Sequence, residues 1–444
     1  MINLENEPKK YDAVLGGKSQ PLPGSLVLGG LEALKGRLTS PVPQERLKAL
    51  WETTKYGSKG LDCVIAALQD PQSQVQIAAY KILRQATGIR VEKALKNFNP
   101  YPFFQCLYTF ENLSCAYGTH AISPDGKRLF VYVYKGFSQV EQGQDCKILC
   151  LQWHLNWTKF PNLHWLYPEF LPVKSVCFRN SSPDPINTLV MTPDSRFLAI
   201  AGKSDLPLGD TRIDVIDLEN MKNIYHFYGH NRGGKKQKNC LAISKNAKIL
   251  VSGSEDKTAI LWDLARGCQS YTLRGHSHAI TALGLSPEGD ILATGSRDYT
   301  IKLWDVNTGQ LLYNIKEHSG AIAVLCISDN GEIMVSGDME GFIKVWDVKT
   351  GQKKSDLSFP NGAIGSLTLS LDGKLLLGCG TSYWGSPIYI WSLITGELLT
   401  ILETTPNLGG EKTSRDRILG ISISADNQMI VTRSYGDIKI WGVP

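Results

Sequence analysis

Two hydrophobic periodicities divide the chain. Between residues 44 and 98, apolar side chains recur at intervals of three and four residues, as at Val75, Ala79 and Ile82. This spacing collects apolar residues on one side of an α-helix. Helices are therefore predicted over 44–56, 60–69, 72–86 and 89–98. From about residue 105 onward, short apolar and polar alternations separated by Gly, Asn and Asp predict antiparallel strands joined by tight turns.

The strand region is built from repeats. The segment from Leu285 to Leu292 is similar to the segment from Ile327 to Met334, and the pattern recurs around seven hydroxyl residues. These anchor residues are Ser123, Thr192, Ser244, Ser286, Ser328, Ser370 and Ser424. Those at 244, 286, 328 and 370 are 42 residues apart, whereas spacings of 69, 52 and 54 elsewhere indicate insertions. The copies share a pattern of four strands, of which the last copy has the first three, so seven similar units are predicted.

Dipeptide marks within the units carry a family resemblance. Gly275-His276 and Trp304-Asp305 bracket the strongest unit, and Trp-Asp recurs at 262–263 and 346–347. The marks are partial in the last two units and eroded in the first two. Residues 105–444 therefore resemble WD40 repeats, and the resemblance implies an all-β seven-bladed β-propeller.

The last unit has three strands, which leaves its outer edge to be covered. Uncovered strand edges pair with other chains and promote aggregation. Residues 105–110 resemble the fourth strand around Tyr271. We therefore predict that the 105–110 segment pairs with the last unit and closes the ring.

The first hundred residues resemble a different repeat class. The stretch from Ile65 to Tyr80 is similar to a HEAT-type helical pair, with Asp70 as the predicted N-cap and Pro71 at the first helical position. The predicted organisation is an extended arm over 1–24, a small all-α HEAT-like helical module over 25–100, and the propeller over 105–444. This combination resembles uncharacterised cyanobacterial WD40 proteins.

Composition narrows the functional classes. The net charge of +5 lies entirely in residues 1–100, which hold 14 basic and 9 acidic residues, while 101–444 hold 33 of each. Ten scattered cysteines without a Cys-x-x-Cys pair indicate a reducing compartment, so a cytoplasmic location is expected. Neither a membrane-spanning apolar run nor a secretory signal pattern is predicted.

Histidine, aspartate or glutamate, a hydroxyl and tryptophan recur at matching offsets in three units. The sets are His230, Ser252, Asp256 and Trp262; His276, Thr294, Asp298 and Trp304; and His318, Ser336, Glu340 and Trp346. A His–Asp pair beside a hydroxyl also fits a hydrolase triad, but a catalytic set should occur once. The WD40 resemblance instead implies a structural hydrogen-bond chain in each unit. No metal or cofactor is expected, because the sequence has no spaced Cys/His cluster and no phosphate-binding loop.

Inserted segments indicate one interaction face. The longest connections, at 135–146, 202–212, 229–238, 380–388 and 403–417, open at the same end of the predicted ring. Loops on rigid scaffolds commonly carry recognition, although neutral insertion is the alternative, and a lysine cluster also fits a solvated loop. The predicted face comprises Arg232, Lys235, Lys236, Lys238, Glu255, Arg297, Met339, Tyr383 and Trp384. Exposed aromatic and arginine side chains are typical of protein interfaces.

These features predict a non-catalytic protein–protein interaction scaffold. Two alternatives stay open. One is an enzyme that uses the central cavity of the propeller, which the small and apolar residues of the inner strands at 279–285 and 321–327 disfavour. The other is an anionic partner, RNA or a membrane surface, bound by the basic N-terminal module.

Overall fold

A computed structural model gives the fold of most of the chain. The residues that it describes are 30–110, 120–122, 128–134, 145–152, 171–179, 188–192, 194, 196–203, 211–220, 222–230, 240–360, 362–381, 387–403, 417–424, 426–434 and 437–443. The chain divides into two compact units, one of residues Met1–Gln105 with Val443–Pro444 and one of Cys106–Gly442.

The first unit is helical, which confirms the predicted N-terminal helical module. Its described α-helices are α1 (Gly30–Leu38), α2 (Pro43–Thr53), α3 (Gly57–Ala66), α4 (Ser73–Gln85) and α5 (Ile89–Asn97), with 3₁₀ turns at Thr54–Tyr56, Ala67–Gln69 and Tyr101–Phe103. Its core is formed by the apolar positions that the helical spacing picks out, including Leu50, Val64, Val75, Ala79 and Leu83. Burial of these side chains provides the main drive for packing the helices.

The start of α4 differs from the prediction. Gln72, not Asp70, is the N-cap, and the helix begins at Ser73. The Asp70 carboxylate accepts the Gln72 backbone N–H at 2.8 Å and two hydrogen bonds from Arg46, at 2.8 and 2.9 Å. Because both side chains are about nine-tenths buried, this bidentate pair fixes α2 to the segment that leads into α4.

The second unit is a β-propeller, as the repeat pattern predicts. Its described strands form seven four-stranded antiparallel sheets. Sheet one contains β2 (His120–Ile122), β3 (Arg128–Tyr134), β4 (Asp145–Gln152) and β5 (Leu171–Arg179). Sheet two contains β6 (Thr188–Met191), β7 (Phe197–Lys203), β8 (Thr211–Asp217) and β9 (Lys222–Tyr228). Sheet three contains β10 (Cys240–Ile243), β11 (Ile249–Gly253), β12 (Ala259–Asp263) and β13 (Cys268–Leu273).

The remaining sheets follow the same order along the chain. Sheet four contains β14 (Ile280–Leu285), β15 (Ile291–Ser296), β16 (Ile301–Asp305) and β17 (Leu311–Ile315). Sheet five contains β18 (Ile322–Ile327), β19 (Ile333–Asp338), β20 (Ile343–Asp347) and β21 (Lys353–Leu357). Sheet six contains β22 (Ile364–Leu369), β23 (Leu375–Gly380), β24 (Ile388–Ser392) and β25 (Leu398–Leu402). Sheet seven contains β26 (Gly420–Ile423), β27 (Ile430–Arg433), β28 (Ile438–Gly442) and, beside β28, β1 (Gln105–Phe110).

The first strand of each sheet lies innermost. These strands contact one another in chain order, from β2 through β6, β10, β14, β18 and β22 to β26, and β2 also contacts β26. Between neighbouring sheets lie apolar layers such as Ile301, Ile322, Leu325 and Trp346. The core is therefore a series of inter-sheet layers in which each sheet covers the next.

The anchor residues recur because their hydroxyl groups close the turn between the first and second strands. Ser286 is buried, accepts the Ile291 backbone N–H at 2.9 Å and donates to Asp290 at 2.5 Å. In the other described turns the anchor hydroxyl bonds the side chain two residues later, joining Thr192 to Asp194, Ser244 to Asn246, Ser328 to Asn330, Ser370 to Asp372 and Ser424 to Asp426. Ser123 lies outside the described residues. A buried hydroxyl and an Asp or Asn side chain thus satisfy the turn backbone without solvent.

Candidate interaction face

The His–hydroxyl–Trp sets of sheets three and four form continuous hydrogen-bond chains. In sheet four, the Trp304 indole N–H donates to the Thr294 hydroxyl at 2.9 Å, and that hydroxyl contacts His276 Nε2 at 2.8 Å. His276 Nδ1 then lies 2.9 Å from the Asp298 carboxylate. Because the indole must donate to the hydroxyl, the chain is completed when the hydroxyl donates to Nε2 and Nδ1–H donates to Asp298.

Sheet three reproduces this chain with serine in place of threonine. Ser252 accepts from the Trp262 indole at 2.9 Å and contacts His230 Nε2 at 2.8 Å, while His230 Nδ1 lies 3.0 Å from Asp256. A threonine two residues after each aspartate, Thr258 or Thr300, donates its hydroxyl to the same carboxylate at 2.7 or 2.6 Å. Sequence reasoning missed these threonines, although their fixed offset from the aspartate was a usable signal.

Burial and hydrogen bonding hold the chain of sheet four in one protonation state. Burial lowers the pKa of His276, although Asp298 partly opposes that shift. Burial alone would raise the pKa of Asp298, but hydrogen bonds from Thr300, His276 and the Ser277 backbone outweigh it and hold the pKa at about 2. The pair therefore contains a neutral imidazole and an ionised carboxylate at neutral pH, which is the state that the hydrogen-bond chain requires.

In sheet five the predicted carboxylate is wrong. His318 Nδ1 lies 2.8 Å from Asp338, and Ser336 joins His318 Nε2 at 2.6 Å to the Trp346 indole at 2.8 Å. Glu340 is exposed, although its position in the repeat matches that of Asp298.

The reason for the difference is the turn after β19. Asp338 is the last residue of that strand and already reaches the imidazole, and its second oxygen accepts the backbone N–H groups of Glu340 and Phe342, at 3.1 and 2.8 Å. Phe342 stands where sheet four has Thr300, so the hydroxyl that supports the later carboxylate is missing. Asp338, two residues closer to the strand, therefore takes over both roles.

Sheets six and seven depart further from the predicted chain. Trp441 donates to Thr432 at 2.9 Å, so sheet seven keeps the indole–hydroxyl step. In sheet six, Gly378 occupies the hydroxyl position, and a Cβ there would lie 3.1 Å from the Trp391 ring. Trp391 packs instead against Tyr389, at 5.7 Å between ring centroids, and against Phe359, at 6.2 Å. Aromatic packing thus replaces the polar chain in that sheet.

These sets cannot reach a substrate. The hydroxyls of Ser252, Thr294 and Ser336 are fully buried and are already shared between an indole and an imidazole. A nucleophile must instead contact the reacting atom directly. Among the described residues, no group of three His, Cys, Asp or Glu side chains could hold a metal ion. No helix in the described part of the chain is long and apolar enough to cross a membrane.

Three of the predicted face residues lie in the turns between second and third strands. The backbone N–H groups of Arg297 and Met339 donate to the carbonyls of Ala279 and Ala321, at 3.0 and 2.9 Å, so the two residues hold equivalent positions in sheets four and five. Arg297 and Met339 are exposed, and the Arg297 guanidinium lies 3.8 Å from the Glu255 carboxylate of sheet three. The other predicted face residues lie outside the described residues, namely Arg232, Lys235, Lys236, Lys238, Tyr383 and Trp384.

Two further aromatic residues in these turns were missed by sequence reasoning. Tyr299 and Phe342 are each about half exposed and lie within three residues of Arg297 and Met339 respectively. Tyr299 has φ of 69°, a left-handed conformation that a bulky residue adopts only when the turn enforces it. For Tyr299, the position directly after the turn aspartate Asp298 was the available signal, since an aromatic residue there has no core to enter.

Comparison with known proteins agrees with the geometry of the central sheets. A family model described as "WD domain, G-beta repeat" matches residues 221–263, 267–305 and 309–347, which are close to sheets three to five and the strand before them. Cell division control protein 4 of Saccharomyces cerevisiae is 28% identical over 120 residues, which is 27% of this chain and 14% of that protein. The match thus spans a small part of that relative. The repeats, the sheets and the helices together show that this chain carries WD40 repeats arranged as a β-propeller, with an N-terminal helical module.

Proposed function

We propose that this protein is a non-catalytic protein–protein interaction scaffold. The observation that carries the proposal is the contrast between the two kinds of side chain at the propeller. The polar residues that could perform chemistry are buried and repeated from sheet to sheet, whereas large apolar residues stand exposed on the outer strands and, at Tyr299, Met339 and Phe342, in the turns between second and third strands. Tyr299 lies two residues from the charged Arg297, and Met339 and Phe342 supply exposed apolar surface in the equivalent turn of sheet five. Exposed aromatic and arginine side chains are typical of interface hot spots.

The proposed scaffold is a ring of seven blades closed by the 105–110 strand. The seven sheets, the contact of β2 with β26, and the position of β1 beside β28 support this closure. Closure covers the outer side of β28 with β1 and fixes the turns relative to one another. A rigid ring lets several turns contribute to one binding surface, because their spacing does not have to be set upon binding.

The thiols support a reducing, cytoplasmic setting for this scaffold. Cys63, Cys240, Cys326 and Cys379 are free in the described structure. Burial raises the pKa of Cys240, Cys326 and Cys379 to about 12, so these thiols stay protonated and chemically quiet.

A pull-down with a face variant tests the proposal. Met339→Glu combined with Phe342→Ser places charge and polarity on the face, while Leu312→Glu on the outer strand of sheet four is the matched control. Loss of specific partners in the face variant, with the control unchanged and both proteins folded, is the expected result. Partners that persist in the face variant would contradict the proposal.

A second candidate function is supported by the helical unit. Trp51 is half exposed on α2, and Lys48 and Lys55, at three residues before and four after it, are also exposed. This spacing places the three side chains on one helical side. An aromatic residue between lysines can stack on a base while the lysines contact phosphates, which favours single-stranded RNA as the anionic partner. A binding assay with a uridine oligonucleotide tests this function. Affinity that falls steeply with salt, and less steeply in the Lys48→Ala/Lys55→Ala variant, would support it. Salt-insensitive binding would contradict it.

A further inference from the structure

The outer strand of sheet six differs in charge from that of sheet five. β25 is an edge strand, since no described strand pairs with its outer side. Its five residues are Leu398, Leu399, Thr400, Ile401 and Leu402, none of them charged. By contrast, β21 of sheet five contains Lys353, Lys354 and Asp356. Charges on an edge strand oppose pairing with another chain, and β25, like β13 and β17, contains none.

A β-bulge turns two of these apolar residues to the same face. Leu398 pairs with Trp391 and Ile401 pairs with Tyr389, with a register shift between them. Residues three apart on a regular strand lie on opposite faces, so the extra residue brings Leu398 and Ile401 together. Both are 43% exposed, and they extend the apolar face of the buried Tyr389–Trp391 stack outward to the edge.

The equivalent positions in sheet five show what is missing. There, Trp346 pairs with Lys353 and Lys344 pairs with Asp356 across the same bulge. The Lys353 and Lys344 ammonium groups each lie 3.0 Å from the Asp356 carboxylate. Sheet four has an amide at this place, because Lys302 donates to Asn314 at 2.9 Å. Sheet six replaces this polar cross-strand pair by Tyr389 and Ile401, which leaves an apolar strip at an open edge.

The residues that flank β25 determine which strand could pair with it. Glu397 precedes the strand and Glu403 follows it, and both are exposed. Within the described part of the chain, neither carboxylate forms an ion pair. If two copies of this chain paired through β25 in antiparallel fashion about Thr400, Glu397 of each would face Glu403 of the other. Like charges directly opposite one another destabilise a strand pair, so self-pairing is disfavoured.

We propose that β25 is a second interaction site, which binds an extended segment of another protein by strand addition. The segment would have an apolar centre to cover Leu398 and Ile401 and lysine or arginine at both ends to face Glu397 and Glu403. Strand addition supplies affinity through backbone hydrogen bonds and specificity through side chains on alternate positions. This site lies on the outer strand of sheet six and does not depend on the turn face described above.

A residue exchange between sheets provides the sharpest test. Leu398→Lys with Ile401→Asp gives β25 the residues that β21 carries, and it leaves the net charge unchanged. The matched control, Leu311→Lys with Asn314→Asp, makes the same exchange at the equivalent positions of β17. If the first double variant fails to fold, Ile401→Thr removes apolar surface while keeping a β-branched residue on the strand.

The probe is a fluorescent peptide of five alternating valine and threonine residues, flanked by two lysines at each end. Fluorescence anisotropy is expected to show saturable binding to the full-length protein, weakened by about tenfold or more in the β25 exchange and within about twofold of wild type in the β17 control. A peptide with glutamates as flanking residues, or with proline at its centre, is expected to bind at least about tenfold more weakly. Glu397→Gln with Glu403→Gln should remove most of the salt dependence of binding to the lysine-flanked peptide.

Three results would overturn the proposal. One is equal loss of binding in the β25 and β17 variants, which would make the effect unspecific. Another is the absence of saturable binding of the lysine-flanked peptide at about 1 mM. The third is a concentration-dependent dimer in sedimentation that disappears in the β25 exchange, since it would assign the strand to a second copy of this chain.

Discussion

Replacing Asp338 by alanine tests the hydrogen-bond chain of sheet five where sequence and structure disagree. Asp338 is completely buried and accepts three hydrogen bonds, from His318 Nδ1 at 2.8 Å and from the backbone N–H groups of Phe342 and Glu340 at 2.8 and 3.1 Å. Truncation leaves the buried imidazole N–H without its acceptor, at a cost of about 1–3 kcal/mol. The two backbone donors lie at the more accessible turn and add about 0.5–1 kcal/mol together. The expected loss is therefore about 3 kcal/mol of unfolding free energy.

Glu340→Ala is the matched control, because it removes an exposed carboxylate two residues away. Its expected effect is within about 0.5 kcal/mol of wild type. Urea denaturation followed by both circular dichroism and tryptophan fluorescence measures the two variants, and coincident transitions would justify a two-state treatment. Equal losses in the two variants, or a larger loss for Glu340→Ala, would refute the assignment of Asp338 as the partner of His318.

Three further predictions follow from the same structure. Burial lowers the pKa of His276 and His318 below their ordinary value of 6.5. Because the unfolded chain then binds more protons on acidification, the stability should fall as the pH drops below about 6.5. A flat or rising melting temperature between pH 7 and pH 5 would contradict this. Removing residues 1–112 deletes β1, and size-exclusion chromatography should then show aggregation. Removing 1–104 is the control, because it keeps the strand. A monomeric, cooperatively melting 113–444 fragment would show that β1 is dispensable. Tyr313→Phe removes a hydrogen bond of 3.1 Å to the Lys349 carbonyl in the next sheet. Urea denaturation should show a loss of about 1 kcal/mol of unfolding free energy, against no change for the exposed Tyr299→Phe. Equal effects of the two substitutions would count against a stabilising role for this hydrogen bond.

The parts of the fold that could be predicted from sequence are those that depend on local pattern. The buried anchor hydroxyls, such as Ser286, recur in successive sheets because each closes the same kind of short turn. The His276–Thr294–Trp304 chain was predictable because the offsets recur and the buried indole needs an acceptor. Both features arise within one sheet, where spacing along the chain fixes which side chains meet.

The features that escaped prediction depend on contacts between residues of different sheets or on the exact shape of a turn. Tyr271 and Tyr313 each donate to a carbonyl of the next sheet, Asn307 at 3.0 Å and Lys349 at 3.1 Å, and nothing in the local pattern specifies a partner 36 residues away. Glu340 matched its counterpart by position alone, but the missing threonine changed the turn that presents it. Position in a repeat therefore predicts the side chain type better than it predicts the side chain's partner.

The proposed β25 site illustrates how small departures from a repeat can carry function. A polar or charged pair links the third and fourth strands in sheets two, four and five, through His226 and Asp214, Lys302 and Asn314, and Lys344 and Asp356. Sheet six keeps the same register and bulge but has Tyr389 and Ile401 instead. Since the backbone is unchanged, the difference alters what the edge can bind rather than how the sheet folds.

Site-specific photo-crosslinking tests the central claim most directly. A photoreactive amino acid placed at Met339, in the turn face, is compared with one placed at Leu312, on the outer strand of sheet four. If the turn face is the binding surface of a scaffold, irradiation in an extract of the native organism should give discrete crosslinked protein species from position 339 and none of these from position 312. The same species from both positions, or none from position 339 while the protein remains folded, would contradict the account.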